Sequence, residues 1–122
     1  QHFRDLVAAL SAPHQDDHVG VAALGWEVRT SDGAAAGRAS ALAWRPDILV
    51  VDQIMPQQHG SELLEDLRRA GLACPAILLS GHQPEDGLDR AGLRLSAVLS
   101  KPVRLGDLAT ALARGVAPTA RA

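Results

Sequence analysis

The run Ile48-Leu49-Val50-Val51, closing on Asp52, constrains this chain more than any other segment. Consecutive aliphatic residues leave no polar face, so they read as a strand covered on both sides, the habit of a parallel sheet wrapped by helices. An ionisable residue at the carboxyl end of such a strand stands where open α/β sheets hold their ligands. Asp52 is followed at once by Gln53-Ile54-Met55-Pro56 and then by Gly60. One carboxylate is thus expected at the mouth of a site.

The rest of the chain repeats the alternation. Strand-like runs at residues 5–10, 26–30, 48–52, 76–80 and 97–100 alternate with Ala/Leu segments of helical period, which predicts an α/β fold with a five-stranded parallel sheet. A helix over 13–24 has Asp16 and Asp17 in its first turn and Gly25 past its end, and one over 34–44 is stopped by Pro46. In 61–70, Leu63, Leu64 and Leu67 share one face while Glu62, Glu65, Arg68 and Arg69 stay outside. Leu105, Leu108 and Leu112 mark a last helix. The segment 84–91 is read as a weaker helix, with few apolar anchors and with Gly87 inside it. Residues 1–116 are read as one domain and 117–122 as a frayed tail. The amino end carries two signals. Phe3, Leu6, Val7 and Leu10 have helical spacing, whereas the alternation needs a strand there. A strand is the expectation, and a helix would cost the sheet a member.

Bulk properties exclude several classes. At 122 residues the chain is one domain with a core of its own, needing neither disulfides nor metal to hold it. A net charge of −2 and a pI near 6.2 give no electrostatic case for nucleic acid or a membrane surface. No apolar run approaches the roughly 20 residues of a spanning helix, and the amino end lacks a signal-peptide layout, so a cytoplasmic location is expected. The single cysteine, Cys74, precedes Pro75 and an apolar run and reads as a buried bystander. His14 and His18 lie four apart, which suits a metal, but they read as a solvated helix face. His82 reads as a surface loop residue, and Trp26 and Trp44 as packing.

Three polar residues fall at the ends of successive strands: Asp52, Ser80 and Lys101. Singly they suit a loop cap, an ordinary strand terminus and a solvated charge. Together, a carboxylate, a hydroxyl and an ammonium suit a tetrahedral anionic group placed on the carboxylate, with the hydroxyl and ammonium meeting its oxygens.

At these residues the chain resembles the response-regulator receiver domains of two-component signalling, the CheY-like family. The resemblance runs from about Leu6 to Arg114 and is carried by Asp52-x-x-Met55-Pro56-x-x-x-Gly60, by Ser80-Gly81 and by Lys101-Pro102. It implies a doubly wound, flavodoxin-like sheet of order 2-1-3-4-5 with helices on both faces. It also implies that Asp52 accepts a phosphoryl group from a histidine kinase or phosphotransfer protein, with Ser80 and Lys101 contacting that group. Lys101-Pro102 is often cis in such domains, Met55 and Pro56 would shape the loop under the site, and Gly60 would let it turn into the following helix. Activity would be limited to self-catalysed phosphotransfer and dephosphorylation at Asp52.

One departure concerns Mg²⁺. The resemblance implies a metal held by Asp52, the main-chain carbonyl of Ile54 and an acidic pair at the end of the first strand, but Ala9 and Leu10 stand where that pair belongs. Asp16 and Asp17 lie seven residues further along, and using them would shorten the first helix by about two turns. They are read as dressing a helix amino terminus, and a weak metal site is expected. Val98 and Val103 also replace the aromatic residues common at those positions. Two readings follow: a phosphoacceptor receiver, with a receiver homodimer as a further arrangement, and a pseudo-receiver that binds partners regardless of phosphorylation. A hydrolase of the haloacid-dehalogenase type would want a second carboxylate at the position of Ile54. The host is either a stand-alone receiver or one unit of a hybrid kinase or larger regulator.

Overall fold

The computed structural model describes residues 4–9 (as backbone), 26–31, 34–54, 58–81 and 88–115. In chain order these form β1 (Arg4–Ala9), β2 (Trp26–Thr30), α1 (Ala34–Trp44), β3 (Ile48–Asp52), α2 (Gly60–Arg69), β4 (Ala76–Ser80), β5 (Leu95–Ser100) and α3 (Leu105–Gly115). The five strands make one parallel sheet of order β2-β1-β3-β4-β5. The order reverses between β1 and β3, which opens the crevice of a doubly wound fold at their carboxyl ends.

The helical spacing at the amino end is overridden. Residues 4–9 are a strand paired on both sides, with Leu6 opposite Val28 on β2 and Ile48 on β3. Two ladders of backbone hydrogen bonds outweigh a local periodicity that one isolated turn could not use.

Side-chain alternation along β3 and β4 splits the interior in two. Leu49, Val51, Ala76 and Leu78 face α1 and α2 and pack with Ala41, Leu63, Leu64 and Leu67. Ile48, Val50, Ile77 and Leu79 face the opposite way, towards Trp26 and the Leu108, Ala111 and Leu112 stripe of α3. Helices thus cover both faces. Each fully buried Leu, Ile or Val contributes about 1.5–3 kcal/mol relative to exposure, and all eight of these strand residues are at most 2% exposed.

Several expectations change. Leu105 is 39% exposed, because the α3 stripe starts one turn later and uses Ala111. Arg68 is half-buried rather than outside: its guanidinium donates to the carbonyls of Leu72 and Leu93, tying the end of α2 to the approach to β5. Residues 88–91 are loop and turn, so the helix foreseen over 84–91 does not extend to Ala91. That turn closes with Leu95 N–H donating to the Arg90 carbonyl and Arg94 N–H to that of Ala91, with Arg94 at φ 56°. β5 begins at Leu95 instead of Ala97, since the ladder slips by one residue between Ala76 and Ile77. The predicted helix over 13–24, Phe3, Leu10, Gly87 and the tail 117–122 lie outside the described residues. Among the described residues no helix is long and apolar enough to cross a membrane.

Candidate functional site

Asp52 is the last residue of β3 and is fully buried. Its Oδ1 lies 2.5 Å from Lys101 Nζ, and the lysine side chain keeps about a quarter of its surface in solvent (26% exposed). An ionised carboxylate with no exposure carries a desolvation penalty of several kcal/mol, and a close ammonium is what offsets it. The Lys101-Pro102 bond is cis.

Ser80 closes β4 and is 1% exposed. In the sheet Asp52 stands opposite Leu79, and Ser80 stands opposite Ser100. The main-chain N–H of Lys101 donates to the Ser80 carbonyl at 2.9 Å. The ends of β3, β4 and β5 therefore bring the carboxylate and ammonium into contact, with the serine one residue beyond the partner of Asp52. Among the described residues the Ser80 hydroxyl makes only a 3.5 Å contact with the Gly81 carbonyl, too long to hold it firmly.

Gly60 is needed for space, not for a special torsion. A Cβ there would lie 2.5 Å from the Asp52 carbonyl oxygen and 2.8 Å from Val51 Cγ1. The first turn of α2 can approach the strand end only without a side chain at this position.

Gln53 is the residue that sequence reasoning passed over. It is 3% exposed. Its side-chain Oε1 accepts the Ser61 N–H at 2.8 Å, its Nε2 donates to Ser61 Oγ at 3.2 Å, and its carbonyl accepts the Gly60 N–H at 2.9 Å. Gln53 thus satisfies two of the amide groups that the start of α2 leaves without helical partners. The only signal was a polar residue directly after a buried strand, eight positions before a serine at a helix start.

The remaining expected residues divide. Ile54 is 60% exposed at the mouth of the site. Val98, opposite Leu78, and Val103 are partly buried against the two cores. Trp26 is core, while Trp44 is stacked by the Arg29 guanidinium at 4.5 Å. Burial pushes the Cys74 thiol above its ordinary pKa, against the opposing pull of Arg68. Met55, Pro56, His14, Asp16, Asp17, His18 and His82 lie outside the described residues.

The described donors do not make a divalent-cation site. Among the described residues no three His, Cys, Asp or Glu side chains cluster. Ala9 pairs with Val51, one residue short of Asp52, and the Asp52 oxygen faces Lys101. Mg²⁺ demands a near-octahedral oxygen shell, and one carboxylate with the Ile54 carbonyl is a small part of it.

Comparison with known proteins agrees with this architecture. The chain is 36% identical over 80 residues to a response regulator receiver protein of Anaeromyxobacter sp. strain Fw109-5, covering 65% of this chain and 34% of that protein. It is 32% identical over 56 residues to the probable transcriptional regulatory protein TcrX of Mycobacterium tuberculosis, covering 46% of this chain and 24% of that one. The chain thus spans about a third of the length of the first of these relatives and about a quarter of the second. Among solved structures, the chemotaxis protein CheY4 of Vibrio cholerae superposes with a TM-score of 0.82 at 20% identity, covering 93% of this chain and 98% of that one. A response regulator receiver domain protein of Clostridium thermocellum superposes at 0.77 and 24% identity, over 94% of each chain. These two likenesses concern the fold alone. A model of the response regulator receiver domain matches residues 20–113, and the chain belongs to that family.

Proposed function

We propose that this receiver takes a phosphoryl group on Asp52 from a histidine kinase or a histidine phosphotransfer protein and passes the change on by a shift in conformation. Receiver domains are signalling modules rather than enzymes in the usual sense, and in general they bind Mg²⁺ in an acidic pocket. The observation that carries the reading is the 2.5 Å contact between the buried Asp52 carboxylate and Lys101. In the transfer a carboxylate oxygen of Asp52 attacks phosphorus, the bond from phosphorus to the donor's imidazole nitrogen breaks, and the imidazole leaves with that electron pair. Lys101 then turns from the carboxylate to a phosphoryl oxygen, and the Ser80 hydroxyl donates to another. On the same reading the chain would work in the cytoplasm beside its phosphodonor, with a receiver homodimer as one form of output.

A second reading, a pseudo-receiver that binds partners without phosphorylation, is favoured by one observation. Ala9 occupies the end of β1 beside Val51, where an acidic residue would recruit the ion that offsets donor–acceptor repulsion. The experiment is intact-mass measurement of the chain and of Asp52→Asn after incubation with acetyl phosphate and Mg²⁺. Slow labelling that is absent from Asp52→Asn is expected. No labelling of either under any divalent ion leaves the pseudo-receiver reading.

A further inference from the structure

Asp52 is attached to α2 through its neighbour. Gln53 N–H donates to the Leu79 carbonyl at 2.8 Å, so Gln53 is held to β4. On its other side the Gln53 carbonyl and side-chain amide together hold Gly60 and Ser61, the first turn of α2. A buried amide is tolerated only with its hydrogen bonds made, so this geometry is demanding in a way that a leucine here would not be. Slack is further limited at Gly60, which sits too close to the Asp52 carbonyl to admit even a methyl group. The peptide joining Asp52 to Gln53 therefore moves together with the start of α2.

We propose that Gln53 is a positioning residue: it fixes the bearing of the Asp52 carboxylate towards incoming phosphorus and makes α2 the helix that registers a change at Asp52. The first half rests on the phosphoacceptor reading; the second does not.

The test uses the whole chain and acetyl phosphate over a range of concentrations, with labelling followed by intact mass. The variants are Gln53→Met, which removes the amide, and Gln53→Asn, which keeps an amide one methylene short of Ser61. Leu112→Val, on the opposite face of the sheet, controls for lost stability. Both Gln53 variants are expected to lower the maximal labelling rate about tenfold, with the half-saturating concentration unchanged and Leu112→Val labelling as the native chain does. A Gln53 variant that labels at the rate of Leu112→Val overturns the proposal. If the native chain takes no label, the phosphoacceptor reading fails instead, and amide exchange decides the role of Gln53. Asp52→Asn should then speed exchange at Gly60 and Ser61 by at least about twofold when Gln53 is present, and leave it unchanged in a Gln53→Asn background. An equal response in both backgrounds overturns the link to α2.

Discussion

Removing either partner of the Asp52–Lys101 pair has unequal consequences, because the two side chains differ in exposure. Asp52 is fully buried, whereas Lys101 keeps 26% of its side chain in solvent. Lys101→Ala leaves a buried carboxylate without its ammonium and is expected to cost about 2–4 kcal/mol, somewhat less than for a wholly enclosed pair. Asp52→Asn leaves an ammonium that can turn to water, so its cost should be at most about 1 kcal/mol. Urea unfolding of the two variants checks the order, and equal losses would mean that the lysine does not compensate the carboxylate. The placement of Asp52, Ser80 and Lys101 at one edge of the sheet was legible in the sequence because each terminates an apolar run, and strand ends in a parallel sheet share one edge. The place of Gln53 was not, because its hydrogen bonds run to Gly60 and Ser61, which no local pattern in the sequence ties to it.

Elements with strictly local signals were readable from sequence. β2, β3, β4 and α1 have the bounds that apolar runs and Pro46 implied. β1 was readable only from the alternation of the whole chain, since its own spacing pointed to a helix, and the start of β5 was hidden because the slip belongs to the pairing of two strands. The register of β1 supports an expectation of its own. Ala9 pairs with Val51, so Ala9→Asp with Leu10→Asp, at the two positions where the receiver resemblance expects an acidic pair, should raise Mg²⁺ affinity at least about tenfold, as measured by titration calorimetry. No gain would put the metal-facing positions elsewhere. Between α2 and β4, Cys74 has its thiol pKa raised by burial, with Arg68 opposing. The folded state then holds the thiol proton more tightly than the unfolded chain does. Stability is full below the ordinary thiol pKa and declines as the pH rises towards the folded value. Cys74→Ala should flatten that alkaline decline in thermal melts between pH 8 and 10, and an unchanged slope would assign it to other groups.

The described residues form one sheet shared by two cores, so the two faces are expected to unfold together. Leu64 belongs to the core under α1 and α2 and Leu112 to the core under α3, both with no exposed surface. Truncating either to alanine should cost about 2–5 kcal/mol, a large share of the roughly 5–15 kcal/mol typical of a domain. Tryptophan fluorescence and far-UV circular dichroism should report one common transition in each case; separate transitions would mean that the faces are independent. That shared sheet also delivers Asp52, Ser80 and Lys101 from three strands to one crevice, where the proposed acyl phosphate would form. Borohydride reduces an acyl phosphate of aspartate to homoserine, so treatment of the acetyl phosphate-labelled chain followed by peptide mass mapping reads the modified position directly. Homoserine at position 52, lost in Asp52→Asn, is the predicted result; a labelled chain with its reduced residue anywhere else, or with none, would contradict it.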